Sequence, residues 1–261
     1  MMAPPRATKG RNTTADRTAD VLLLFDESRP VISAADVSRL LGMTRSTTYR
    51  YLQTLRSYGL VEEDEARGGY RLGLRIHQLA RVARQGLGLP EVALPVMREM
   101  KRKTGEVVLL TRRWGSTVVC VERVESTHSV GISYQRGQAH GVHAGASAKI
   151  LLAFAAPAEI DAALASPAFT RYTARTILDP EVLRAELRAI KAQGWVVSDG
   201  EVDEGVRGIA APIFRADGRI AAGLSIAGPS FRLDDAAIPA AVAVVREGAA
   251  AITARLRDLD P

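Results

Sequence analysis

Residues 33–73, SAADVSRLLGMTRSTTYRYLQTLRSYGLVEEDEARGGYRLG, decide how this 261-residue chain is read. Val37, Leu40 and Leu41 recur at helical spacing, Ser33 stands where a hydroxyl caps a helix, and Asp36 adds a first-turn carboxylate that favours the helix dipole. Gly42 ends that short helix. Thr44 is placed to cap a second helix, with Thr48, Leu52 and Leu55 on its inner side and Ser46, Tyr49, Arg50 and Gln53 on the other. That outer side suits a DNA major groove, which admits a helix and takes Arg for guanine or phosphate, Gln for adenine and hydroxyls for backbone oxygens. An ordinary helical hairpin with a solvated face is the competing reading.

The residues that follow favour the first reading. Gly59 terminates the helix, Leu60 and Val61 begin an extended segment, and residues 62–67 form a polar tip closed by Gly68 and Gly69 before Tyr70, Leu72 and Leu74 return. Helix, turn, helix, hairpin is the order of a winged helix-turn-helix. The candidate DNA contacts are Thr44, Arg45, Ser46, Thr47, Tyr49, Arg50 and Gln53, with Arg67 at the tip of the wing.

Charge and composition agree with two different halves. The chain is long enough for two cores, and 47% hydrophobic with 25% charged residues is globular usage. The net charge of +6 is lopsided: residues 1–88 hold 14 Lys+Arg against 9 Asp+Glu, whereas residues 89–261 hold 21 against 20. A basic excess on the helix-turn-helix half suits a polyanion, because neutralised phosphates release counterions. Cys120, alone of its type, sits in the apolar run TVVCVERV, so no intramolecular disulfide is expected and a reducing compartment is implied. His140 and His143 form one close pair without a third ligand, so structural roles are expected and neither a metal nor a cofactor. With no signal-peptide core and no apolar run near ~20 residues, the expected location is the cytoplasm, off the membrane.

Along the chain, residues 1–14 read as a flexible basic tail, residues 15–73 as the DNA-binding domain and residues 74–88 as a linker helix. Within the second of these, a first helix over 16–27 carries Val21, Leu22, Leu24 and Phe25, and Val31 with Ile32 is a short strand beside the wing. The linker helix has Ile76, Leu79, Ala80 and Ala83 on one face, suited either to a dimer seam or to its own domain. Residues 89–261 alternate helices (91–103, 144–154, 157–165, 180–193, 235–257) with strands (107–111, 117–124, 129–134, 209–214, 219–226), so the fold class is α+β.

The motifs LLGMTRSTTYRYLQTLRSYGLV, GGYRLGLRIHQLA, VHAGASAKILLAF, GWVVSDGEVDEGVRGIAAPIF and GLSIAGP, in that order, resemble the isocitrate lyase regulator (IclR) family of bacterial transcription factors along nearly the whole chain. The resemblance implies an N-terminal winged helix-turn-helix, a linker helix and, over residues 89–261, a C-terminal GAF-like α/β effector-binding domain, assembled as a homodimer or as a tetramer built from dimers. It further implies a palindromic double-stranded operator and a small organic acid as effector.

Carried over residue by residue, the effector site comprises Gly145, Ala146, Ser147, Ser198, Asp199, Gly208 and Ser225. Gly145 leads into a helix whose first N–H groups, with only small side chains around them, can cradle a carboxylate. Two of these residues have simpler uses: Asp199 can hold a turn at Gly200, and Ser225 can be a satisfied strand hydroxyl. The family often has Cys or Ser where Gly208 stands, Gly where Ala148 stands and Ser where Ala227 stands, so a roomier, more apolar pocket is expected, fit for an aromatic or longer acid. The rival readings are an enzyme and a sensor that does not touch DNA. GLSIAG lacks the final glycine of a nucleophile elbow at Ala227, GLGLPE is an incomplete dinucleotide fingerprint, and the basic N-terminal half argues against the sensor.

Overall fold

The computed structural model describes residues 13–26, 28–85, 88–126, 128, 131–165 and 169–259, and the chain divides into two units, Met1–Leu87 and Gly88–Pro261. Most of the expected basic tail lies outside the described residues, but Thr13 and Thr14 belong to a helix, which starts earlier than its apolar residues suggest.

In the first unit, α1 (Thr13–Leu22), β1 (Val31–Ile32), α2 (Ala34–Leu41), α3 (Arg45–Ser57), β2 (Val61–Asp64), β3 (Gly69–Leu72) and α4 (Leu74–Gln85) follow in order. The three strands form an antiparallel sheet in the order β1-β3-β2. Its core joins Val21, Val37, Leu52 and Leu55 from the helices to Ile32, Val61 and Tyr70 from the sheet. Burying each such side chain contributes about 1.5–3 kcal/mol before entropy is counted. Leu40, read as an inward residue, is 42% exposed, since Val37 and Leu41 already use the inner face of a helix only eight residues long. Tyr51 takes an inner position that the spacing does not claim.

In the second unit, α5 (Leu89–Thr104) precedes the hairpin β4 (Val107–Trp114) and β5 (Thr117–Val124), then β6 (Ala139–Gly141). Helices α6 (Ala146–Ala153), α7 (Pro157–Leu164) and α8 (Pro180–Gln193) follow, then β7 (Val196–Asp199), β8 (Val206–Phe214), β9 (Ile220–Pro229) and α9 (Ile238–Leu259). The sheet is antiparallel throughout, in the order β6-β5-β4-β9-β8-β7. Strand alternation divides its residues: Val108, Leu110, Ile209 and Leu224 join α5 and α9 in one core, while Val118 and Ala210 join α6 and α8 in another.

Of the strand expected over 129–134, the described residues 131–134 run irregularly instead, and β5 pairs with β4 on one side and with Ala139–Gly141 on the other. Side chains satisfy the irregular backbone instead. The Ser133 N–H donates to Asp203 at 3.0 Å, and the Arg123 guanidinium donates to the Ile132 carbonyl at 3.2 Å and to that of Tyr134. Conversely, β7 is a strand that the residue pattern does not predict. Its four residues are too few for a period to show.

Candidate functional site

The first unit assembles its exposed face from two capped helices. Ser33 Oγ accepts the Asp36 N–H at 3.1 Å, and Gly42 adopts a left-handed φ of 62° that lets the chain turn into Thr44. Thr44 Oγ1 accepts the Thr47 N–H at 3.3 Å and lies 2.9 Å from Thr47 Oγ1 and 3.2 Å from Ser46 Oγ. Three hydroxyls thus gather at the positive end of α3, where a phosphate is favoured. Thr44, Arg45, Ser46, Tyr49, Arg50 and Gln53 are exposed and Thr47 is half-buried, while Thr48, Tyr51, Leu52 and Leu55 are buried on the other side.

Ion pairing separates two groups of cations. Arg56 is bonded to Glu63 at 2.7 Å and Arg71 to Glu62 at 2.8 Å, both at the root of the hairpin. Among the described residues Arg45, Arg50 and Arg67 have no such carboxylate. Arg50 instead lies with its guanidinium carbon 5.6 Å from the Tyr51 ring centroid, half-supported and open to solvent. Arg67 is exposed beside Gly68 (φ 65°), the lone cation of the turn over 65–68, which follows a strand carrying Glu62, Glu63 and Asp64 and itself starts with Glu65. A hairpin so acidic can offer a phosphate little more than Arg67.

The second unit encloses a cavity at the start of α6, where Gly145, with φ 83°, enters the helix in a conformation that disfavours side chains. Its N–H donates to Glu201 Oε2 at 3.1 Å, so a carboxylate of the chain itself already occupies the first helix donor. Glu201 and Glu186 (2.6 Å) both bind the ammonium of Lys149, which is wholly buried in α6. The next two N–H groups, of Ala146 and Ser147, have no helical carbonyl to bond. Ser147 Oγ lies 2.7 Å from Ser225 Oγ, and Ser198 is buried beside them. At Gly208 a Cβ would stand 3.3 Å from the Ala146 Cβ, so the absence of a side chain there keeps the approach to the helix start open.

Six of the seven expected effector residues therefore line one cavity: Gly145, Ala146, Ser147, Ser198, Gly208 and Ser225. Asp199 does not. Neighbours on a strand face opposite ways, so with Ser198 turned inward Asp199 turns out, to Arg175 (2.8 Å), Arg207 (3.1 Å) and Ser230 (2.9 Å). The Arg207 hydrogen bond foremost, with help from Ser230 and Arg175, holds its carboxyl below the usual range.

Nor is the cavity roomy. Its space is about 40 Å³, because Leu109, Ile132, Tyr134 and Val202 close over the area that the small residues at 208 and 227 leave. None of these wall residues is among those expected at the site, and neither are the acidic Glu201 and Asp203. The acids stand in plain view in the motif GWVVSDGEVDEGVRG, but Ile132 and Tyr134 arrive from an irregular segment with no period. Tyr134 matters most: its buried hydroxyl has no hydrogen-bond partner among the described residues, and burial pushes the phenol above its ordinary pKa.

Cys120, His143 and His140 have structural surroundings. Burial pushes the Cys120 thiol up to about 12, leaving it inert near neutrality. His143 is bonded to the Thr170 carbonyl at 2.9 Å and stacks on Phe169, and burial lowers its pKa. His140 stacks on Tyr134 at 4.0 Å. Among the described residues no three His, Cys, Asp or Glu side chains stand together as a metal site, and no helix is long and apolar enough to cross a membrane.

Known proteins resemble both units. The profile of the IclR helix-turn-helix domain matches residues 14–65, and that of the bacterial transcriptional regulator IclR C-terminal matches residues 82–254. The chain is 30% identical over 224 residues to the HTH-type transcriptional regulator XynR of Escherichia coli K12, covering 85% of this chain and 88% of that one. It is 32% identical over 234 residues to BhcR of Paracoccus denitrificans, covering 90% and 84%. Among solved structures, an IclR transcriptional regulator of Silicibacter superposes with a TM-score of 0.85 at 27% identity, covering 93% and 96% of the two chains. An IclR homologue of Microbacterium hydrocarbonoxydans, solved with 4-hydroxybenzoate, superposes with a TM-score of 0.80 at 31% identity, covering 93% and 98%.

Proposed function

This chain belongs to the IclR family of bacterial transcriptional regulators, and we propose that it is a non-enzymatic, homodimeric or dimer-of-dimers protein whose operator binding answers to a small organic acid in the α6 cavity. The single observation that carries the effector reading is the convergence of Gly145, Ala146, Ser147, Ser198, Gly208 and Ser225 on one cavity at a helix N-terminus. Ala146 and Ser147 offer their N–H groups to the acid's carboxylate, and the serine pair orients it.

An aromatic acid, such as the 4-hydroxybenzoate of the Microbacterium relative, requires the wall to open, since about 40 Å³ is well short of the ~150 Å³ that holds a benzene ring. Residues 131–134 are the segment to move, because side chains rather than a neighbouring strand secure them. Tyr134 would then offer its hydroxyl, unpaired among the described residues, to a polar group at the far end of the ligand.

On the DNA side, α3 enters a major-groove half-site with Arg45, Ser46, Tyr49, Arg50 and Gln53 forward, Thr44 and Thr47 at the phosphate and Arg67 on the flank. The apolar side of α4, with Leu79 47% exposed and Val82 58% exposed, suits a seam between two copies. A bound acid that favours one arrangement of the assembly would alter DNA affinity by a coupling of about 1–3 kcal/mol.

The test is to select genomic fragments with the purified protein, then measure their affinity with and without a panel of aliphatic and aromatic acids. A preferred duplex whose affinity one acid shifts, and whose response Gly208→Val abolishes, is expected. No preference over random DNA at moderate salt would sink the proposal.

A further inference from the structure

The C-terminal unit has a second and larger cavity, a groove of about 500 Å³ bounded by the end of α8, the far end of β8 and one face of α9. We propose that this groove is a second ligand site, taking a small amphipathic organic anion with its apolar body against Phe154 and Phe214 and its charge among Lys191, Arg246 and Arg257.

Charge separates the two cavities. Among the described residues the groove is lined by three cations and by no Asp or Glu, whereas the α6 cavity is lined by Glu201 and Asp203 and by no Lys or Arg. Among the same residues none of the three cations has a carboxylate partner, although most other arginines of the unit do. Lys191 also complements the negative end of α8. That use accounts for neither arginine.

The geometry of α9 sets the shape. Residues 246, 250, 253 and 257 recur at helical spacing on one face, so Arg246 and Arg257 bracket a strip of alanines and Thr253 about 16 Å long. The opposite wall is the edge-to-face pair Phe154 and Phe214, with centroids 5.3 Å apart and planes at 75°. An aromatic or aliphatic body lying along the alanines meets carbon on both sides and an ammonium or guanidinium at either end.

A peptide strand is a worse occupant. Pairing of β7 with β8 stops at Ala210, which leaves residues 211–214 without a strand neighbour on that side. Yet Pro212 has no N–H, and the Phe214 N–H already donates to Thr253 Oγ1 at 3.1 Å. An added strand would find no backbone donor along this edge, while a ligand held by side chains needs none.

The test uses the full-length protein with 2-naphthoate and its neutral counterpart 2-naphthamide, followed by isothermal titration calorimetry, with sedimentation of every variant. Naphthoate binding that persists in Gly208→Val, which fills the other cavity, is expected. It should weaken at least tenfold in the Arg246→Gln/Arg257→Gln double variant at unchanged sedimenting mass, and naphthamide should bind at least tenfold less tightly than naphthoate. The proposal is overturned if the double variant binds as well as the parent, if the amide equals the acid, or if Gly208→Val removes the binding. It is also overturned if the double variant loses mass, which would assign the groove to contact with a second copy.

Discussion

Glu201 holds an oxygen 3.1 Å from the Gly145 N–H and its other oxygen on the ammonium of Lys149, a side chain with no exposure at all. The carboxylate thus ties the mouth of the α6 cavity to the core of the unit, since Lys149 also reaches Glu186 on α8. An amide in its place keeps the shape but leaves Glu186 as the carboxylate on the buried ammonium, so Glu201→Gln weakens the cluster without stripping Lys149 of its countercharge. That variant is expected to lose roughly 1.5–3 kcal/mol of unfolding stability, read from urea denaturation, with the loss confined to the C-terminal unit.

The unpaired state of Arg50 and Arg67 separates their roles on DNA. Arg50→Ala should weaken binding to a selected operator by roughly 1–3 kcal/mol and relax specificity at one base position, with thermal stability nearly unchanged. Arg67→Ala should weaken all duplexes alike and lower the salt dependence of binding by about one phosphate contact. Titrations of both variants at several salt concentrations distinguish the two patterns.

Thr44 caps α3 through the Thr47 N–H at 3.3 Å. Thr44→Ala should cost about 1 kcal/mol of stability in the N-terminal unit, and Thr44→Ser should recover most of it. Chemical denaturation of the three proteins decides the matter.

Gly73 lets two stretches of backbone meet, since a Cβ there would stand 2.3 Å from the Gly59 carbonyl oxygen. Neither backbone can yield cheaply, because the Gly73 N–H is bonded to the Leu60 carbonyl at 2.9 Å. Gly73→Ala is expected to destabilise the N-terminal unit by roughly 1–3 kcal/mol, visible as a lowered melting temperature.

Asp199 supplies a pH test. Arg207 first, then Ser230 and Arg175, lower its folded pKa, so its ionised form stabilises the fold above the ordinary carboxylate value and that contribution fades as pH falls through the lowered one. The stability gap between the parent and Asp199→Asn should be widest near neutrality and shrink below about pH 4. Melting curves from pH 7 to pH 3 report it. A gap independent of pH would mean that shape, not charge, is what Asp199 contributes.

Much of this protein is legible along the chain, and the legible parts share one property: their physics is local. The caps at Ser33 and Thr44, the turn at Gly42 and the division of α3 into an inner and an outer side depend on residues within a few positions of one another. The motif around Gly145 likewise announces a helix start between small residues.

Other features depend on residues far apart in the chain and escape any local reading. Residues 131–134 of the strand expected over 129–134 are held instead by Asp203 and Arg123, partners that no period in that segment encodes. Tyr134 enters the cavity from the same segment, and Asp199 leaves it because β7 pairs with β8 in a register that turns Ser198 inward. Whether a small residue leaves space depends on what packs over it, and here Ile132, Tyr134 and Val202 do so from elsewhere in the chain. The order of amino acids alone thus dictates the caps, most of the helices and the family. Long-range packing sets the volume and charge of each cavity, because a cavity is bounded by side chains that only the fold brings together.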